Sequence, residues 1–171
     1  LCIETGGPTP GLGCAGRGII ATFSLLEDLE LFETHQPDVV LYDVLGDVVC
    51  GGFSMPMRRG YADKIFVITS GENMAIHAAA NIAMAVENFK DRGYAQLGGL
   101  ILNRRNVKNE DAKVEELAED IHSKVIGTLS RSALVTDAEE QKKTVIEAYP
   151  DSEMAEEYRI LAGKIRTLCG I

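Results

Sequence analysis

The sequence predicts an α/β fold, a mostly parallel sheet with helices on both of its faces. Short apolar runs rich in Val, Ile and Leu recur at 39–41, 65–68, 97–102 and 125–129, as buried parallel strands do. Longer stretches of helical periodicity separate them, and strand alternating with helix implies right-handed crossovers between parallel strands. The composition, 46% hydrophobic and 25% charged, is that of a globular chain with a real core.

In chain order, residues 1–14 carry Gly6, Gly7, Pro8, Pro10, Gly11 and Gly13 and read as an irregular loop. Over residues 15–32, Ile19, Ile20, Phe23, Leu26 and Leu29 recur at helical spacing. Cys14 therefore falls at a helix amino terminus, where free N–H groups and the dipole favour a thiolate. Val39, Val40 and Leu41, bounded by Pro37 and Gly46, read as a buried strand over 39–43. That strand would deliver Asp43 at its carboxyl end, where parallel sheets place their ligand chemistry.

A second strand is expected at 64–69, with Ser70-Gly71 as the turn after it and an alanine-rich helix over 75–89. The third strand, 97–103, ends on Asn103. Residues 110–123 form an amphipathic helix with Val114, Leu117, Ala118 and Ile121 on one side. A short fourth strand at 125–129 leads to Ser130-Arg131; residues 136–147 read as charged and partly helical, and 151–168 as a closing helix.

The 171 residues suit a single domain, 1–171. A formal net charge of −9 argues against nucleic acid as a partner, since phosphate contacts need clustered Lys and Arg. No apolar stretch reaches membrane-spanning length and no signal peptide is seen, so the expected setting is cytoplasmic. The abrupt start at Leu1, without Met, leads us to expect that an amino-terminal part is missing. Of the four cysteines, Cys14 and Cys50 are embedded in glycine, a setting structural disulfides do not require, so reduced or metal-bound thiols are expected. Cys2 and Cys169 read as packing or surface thiols.

The central stretch is residues 42–53, where Asp43 is tied by a short loop to Cys50 and its two following glycines. A strand-end Asp is the usual Mg²⁺-linked acid of nucleotide hydrolases, and Asp47, four residues on, could orient or deprotonate an attacking water. Capping of a loop by short acids is the alternative. A cubane iron–sulfur cluster wants four thiolates, and two per chain suffice if a twofold axis supplies the others. A small buried core residue is the plainer reading of Cys50. Asn103, at a strand end, could read an adenine edge. Arg17, Arg58, Arg59 and Arg131 read as solvated, with Arg17 three residues from Cys14.

These segments carry a family resemblance. Gly13-Cys14-Ala15-Gly16-Arg17-Gly18, preceded by Glu4-Thr5-Gly6-Gly7-Pro8, resembles the first cluster-ligand segment of the nitrogenase iron protein family. The run from Tyr42 to Arg58, through Asp43, Asp47 and Cys50-Gly51-Gly52-Phe53, resembles the second. Leu97-Gly98-Gly99-Leu100 leading into Asn103 and Arg105 is similar to the family's base-contacting strand end, and Thr144-Val145-Ile146-Glu147 to a later segment. The resemblance runs from Cys2 to about Ala162.

It implies a P-loop NTPase-like fold of the deviant Walker A class and a homodimeric, ATP-driven electron donor. One [4Fe-4S] cluster would bridge two subunits through Cys14 and Cys50 of each, and MgATP or MgADP would bind at the subunit interface. Asp43 would belong to the magnesium-linked switch and Asp47 would help activate water; Asn103, Arg131 and Glu139 would hold the adenosine. Arg17 would lie on the face that docks a nitrogenase or nitrogenase-like component, and is also a modification site in some members. A ferredoxin or flavodoxin would supply the electrons.

The sequence departs from the family in lacking any G-x-x-x-x-G-K-[ST] run, so the chain as given is not expected to hydrolyse ATP at a useful rate. Ser130 stands where many members have proline, and Glu140-Gln141-Lys142-Lys143 replaces a more arginine-rich stretch. Two other functions compete with the electron donor: a cluster-free regulatory or partitioning ATPase of similar fold, and a non-catalytic cluster-binding module.

Overall fold

A computed structural model of the chain describes residues 1–5, 16–46, 54–58 and 60–171. Three strands, β1 (Lys64–Thr69), β2 (Gln96–Asn103) and β3 (Val125–Leu129), form a parallel sheet in the order β1-β2-β3. Seven α-helices accompany them among the described residues: α1 (Gly16–Asp28), α2 (Leu31–His35), α3 (Asn73–Phe89), α4 (Glu110–Asp120), α5 (Ala133–Glu140), α6 (Val145–Ala148) and α7 (Glu153–Cys169).

The period-two alternation of β2 builds two cores. Leu100 and Leu102 face Val67 of β1, Ala79 of α3 and Val114, Leu117 and Ala118 of α4. Ile101 packs on the other side with Ile126, Met154, Ala155 and Leu161, and with Ala138 and Val145 of α5 and α6. Leu100, Leu102 and Val114 are the largest fully buried side chains, each contributing about 1.5–3 kcal/mol of transfer free energy. Helices therefore cover both faces, as the sequence predicts.

β2 is not regular. Ile65 pairs with Leu97 but Phe66 with Gly99, which leaves Gly98 as an extra residue. Gly99 has φ 146°, and a Cβ there would lie 2.5 Å from Ile126 Cγ2 and 3.0 Å from the Lys124 carbonyl oxygen. Only glycine satisfies both the backbone and the space.

The expected strand at 39–43 is corrected: these residues lie in no strand, and Val39, Val40 and Leu41 are 54%, 40% and 87% exposed. A strand exists only through ladder bonding to a neighbour, and the described sheet ends at β1, whose Ile68 is itself 64% exposed. The single helix expected over 15–32 is also divided. Glu30 takes a left-handed conformation (φ 48°), ending α1 before α2 begins. The remaining elements fall close to their expected bounds, with α5 and α6 replacing the ill-defined charged stretch. Cys2 and Cys169 are free and exposed. No helix among the described residues is long and apolar enough to cross a membrane.

Candidate functional site

The chemistry collects where the three parallel strands end. β1 runs into Ser70-Gly71-Glu72, β2 into Asn103-Arg104-Arg105 and β3 into Ser130-Arg131. Two carboxylates and one guanidinium hold these ends together.

Glu110, first residue of α4, is only 4% exposed. Its Oε1 accepts from the Arg105 N–H at 2.8 Å and from the Gly71 N–H at 3.2 Å. Burial alone would push this carboxyl up, but the backbone N–H groups of Arg105, Gly71, Asn106 and Val107 outweigh it and hold it below the ordinary carboxylate range. Gly71 must lack a side chain here, because a Cβ would lie 2.8 Å from Glu110 Cα and 2.7 Å from its Cγ. Between β2 and α4 the chain turns through two left-handed asparagines, Asn106 (φ 62°) and Asn109 (φ 58°). Asn109 gives α4 no side-chain cap, and Glu110 serves the neighbouring loops instead.

Arg131 Nη1 donates to the Arg105 carbonyl at 3.3 Å, and the Arg104 N–H donates to the Leu129 carbonyl at 2.9 Å. The Arg104 guanidinium also pairs with Asp111. Glu157 of α7 takes both donors of Ser130, the N–H at 2.6 Å and the hydroxyl at 2.7 Å. On the β1 side, Lys113 Nζ donates to the Gly71 carbonyl at 3.2 Å. A cleft of about 470 Å³ opens there, lined by Gly71, Glu72, Asn73, Met74, Val107 and Lys113 among others.

The structure brings Asn103 and Arg131 to the ends of adjacent strands, both exposed, with Asn103 paired in register with Leu129. Glu139 lies further on, in the last turn of α5, and is exposed. Asp43 is exposed but not at a strand end, for the reason given above. Arg17 is exposed in the first turn of α1. Cys14, Asp47 and Cys50 lie outside the described residues; among the described ones no group of three or more His, Cys, Asp and Glu could hold a metal ion.

One further contact joins the segments flanking those cysteines. Phe23 of α1 is 5% exposed and lies against Tyr42, next to Asp43, with ring centroids 5.5 Å apart, and against Tyr61. The Tyr61 hydroxyl donates to the Glu27 carboxylate.

Sequence reasoning missed Glu110, Gly71 and Glu157. Each acid sits among charged neighbours, yet helical spacing puts it on the apolar face, Glu110 four residues before Val114 and Glu157 four before Leu161. The usable signal for Glu110 was its place directly after a polar loop leaving a buried strand.

Residues 1–168 match the family model described as 4Fe-4S iron sulfur cluster binding proteins, NifH/frxC family. The nitrogenase iron protein of Methanospirillum hungatei is 51% identical over 168 residues, covering 97% of this chain and 59% of that protein. Nitrogenase iron protein 2 of Methanothermobacter thermautotrophicus is 49% identical over 164 residues, with 96% and 60% covered. The chain thus spans about three fifths of the length of the curated relatives it matches. Among solved structures, the cell division ATPase MinD of Pyrococcus furiosus superposes with a TM-score of 0.64 at 15% identity, over 90% of this chain and 59% of that one. MinD of Aquifex aeolicus gives 0.61 at 19%, over 90% and 61%. At such identities the likeness shows the fold, an α/β arrangement with a parallel sheet, and nothing finer.

Proposed function

The chain belongs to the NifH/frxC family of 4Fe-4S iron–sulfur cluster-binding proteins, and from that premise we propose that it is part of an ATP-dependent electron donor. The protein would act as a homodimer, take electrons from a ferredoxin or flavodoxin and reduce a nitrogenase or nitrogenase-like component. The observation that carries this reading is the family match over residues 1–168, which includes both glycine-embedded cysteines.

Cys14 and Cys50 would hold the cluster, two thiolates from each subunit meeting the four-thiolate demand of a cubane. The cluster supplies one-electron redox chemistry when bound. Asn103 and Arg131, an amide and a cation at adjacent strand ends, suit the hydrogen-bonding edge of an adenine and the polar groups of its ribose; Glu139 would complete the hold on the adenosine. Asp43 would link to the nucleotide's magnesium, and Asp47 would orient the attacking water or take its proton. The 171 residues contain no G-x-x-x-x-G-K-[ST] run, so we assign them no cradle for the β- and γ-phosphates. Arg17, exposed at the start of the helix that follows Cys14, would face the redox partner. Phe23, packed on Tyr42, offers a path by which a change at Asp43 reaches α1.

The deciding experiment is iron and sulfide analysis of the anaerobically purified protein, with Cys14→Ser and Cys50→Ser beside it. Four irons per dimer, lost in both variants, are expected. Iron-free protein with both substitutions silent would leave a cluster-free ATPase of the same fold.

A further inference from the structure

We propose that Glu110 is a positioning residue for adenine recognition: its buried carboxylate fixes the loop after β2, and with it Asn103, against the turn after β1. This rests on reading Asn103 as a base contact and names the group that sets its orientation.

A single oxygen, Oε1, receives N–H groups from two loops whose sequence positions differ by more than thirty residues, Gly71 at 3.2 Å and Arg105 at 2.8 Å. The acceptor therefore sets the separation of the two strand ends. The loop it holds contains two left-handed asparagines and no regular structure, so its shape depends on such tethers. Arg105 is held at both of its backbone polar groups, its N–H by Glu110 and its carbonyl by Arg131 at 3.3 Å. Asn103 lies two residues before it, with its own backbone in register with Leu129.

The opposing surface is equally constrained. Gly71 brings its backbone against Glu110 Cα, leaving no room even for a methyl group. Lys113, one turn along α4, takes the Gly71 carbonyl at 3.2 Å. α4 thus holds both the N–H and the carbonyl of Gly71, and carries the loop that follows Asn103 on the same carboxylate. Removing that carboxylate leaves buried N–H donors unpaired and frees the loop to move. An amide that reads one base edge tolerates little displacement, because discrimination depends on hydrogen-bond geometry at the edge.

The test compares binding of MgADP and MgGDP to the cluster-loaded dimer by calorimetry, for the parent, Asn103→Ala and Glu110→Ala. Thermal unfolding is followed in parallel. The parent prefers MgADP; Asn103→Ala removes the preference, and Glu110→Ala lowers it about tenfold, the scale of one lost buried hydrogen-bonded group. If Glu110→Ala does not fold, Glu110→Asp carries the same readout, since its carboxylate falls one methylene short of spanning both loops. A preference that Asn103→Ala removes and the Glu110 variants leave intact, whatever happens to their unfolding temperature, overturns the inference alone. A parent without preference, or an Asn103→Ala variant that keeps it, overturns the base-contact reading and this inference with it.

Discussion

Phe23 and Tyr61 meet edge to face, their ring centroids 4.6 Å apart and their planes at 81°. Phe23 belongs to the helix that begins two residues after Cys14, and Tyr61 follows the segment that carries Cys50. With Tyr42 also against it, the Phe23 ring is the hub of an aromatic group joining three separate stretches. Phe23→Ala should cost about 3–5 kcal/mol, from lost burial, the cavity and the lost ring pairing. Denaturant unfolding of the whole protein measures this. A loss below about 1 kcal/mol would mean that the three stretches are held by something else.

The hydroxyl of Tyr61 gives a pH signature. Its hydrogen bond to Glu27, with burial and the nearby carboxylate charge adding to it, pushes its pKa from 10.0 up to about 12. The folded state therefore favours the neutral phenol. The stability this group contributes is whole below pH 10 and is lost as pH climbs toward 12. An ultraviolet titration of the phenolate band should show a late tyrosine that Glu27→Gln moves back toward the ordinary value. An unchanged late step in Glu27→Gln would assign it to a different residue.

The elements that sequence made legible are those whose burial follows a repeat. β1, β2 and β3 show as short apolar runs because helices pack on the sheet around Val67, Leu100, Ile101, Leu102 and Ile126, and α3 shows in the spacing of Ala79, Ala83 and Val86. Val39-Val40-Leu41 carries the same local signal without a described partner strand, and no local pattern reports whether a partner exists. Asn103 was singled out because it closes a strand that the sequence makes legible; Arg131 read as solvated from the residues alone, and only the family resemblance gave it a role. Glu110 and Glu157 follow from no strand count: helical spacing sets them on the apolar faces of α4 and α7, but the loops they bind are brought close only by tertiary folding.

Gly71 tests how tightly the strand ends are set. The Cβ added by Gly71→Ala would press on Glu110 Cα at 2.8 Å, a backbone atom that cannot rotate away. Truncating Glu110 removes its Cγ but leaves that contact. Gly71→Ala should cost about 1–3 kcal/mol, and adding Glu110→Ala should give no rescue. Unfolding midpoints of the two single variants and the double one measure both quantities. Recovery in the double variant would show that the side chain, and not the backbone approach, is the obstacle.

Ser130 and Glu157 offer the sharpest energetic test at this edge. The carboxylate takes the Ser130 N–H at 2.6 Å and its hydroxyl at 2.7 Å, one donor on each oxygen. Proline at this position would supply neither donor, so the serine here makes the tie to α7 two-pronged. Ser130→Ala removes only the hydroxyl and should cost about 1 kcal/mol; Glu157→Ala strands both donors and should cost about 2–3 kcal/mol. Because the two side chains share one bond, the double variant should cost less than the sum of the single ones by about 1 kcal/mol. Urea unfolding of the four proteins closes the cycle. Strict additivity would mean that the hydroxyl bond contributes nothing, leaving the backbone N–H of Ser130 as the donor that matters to Glu157. Arg131 is the next residue in the chain, so loss of coupling here should also loosen its hold on the Arg105 carbonyl, and hydrogen exchange at the Arg105 and Asn106 amides should quicken in Glu157→Ala.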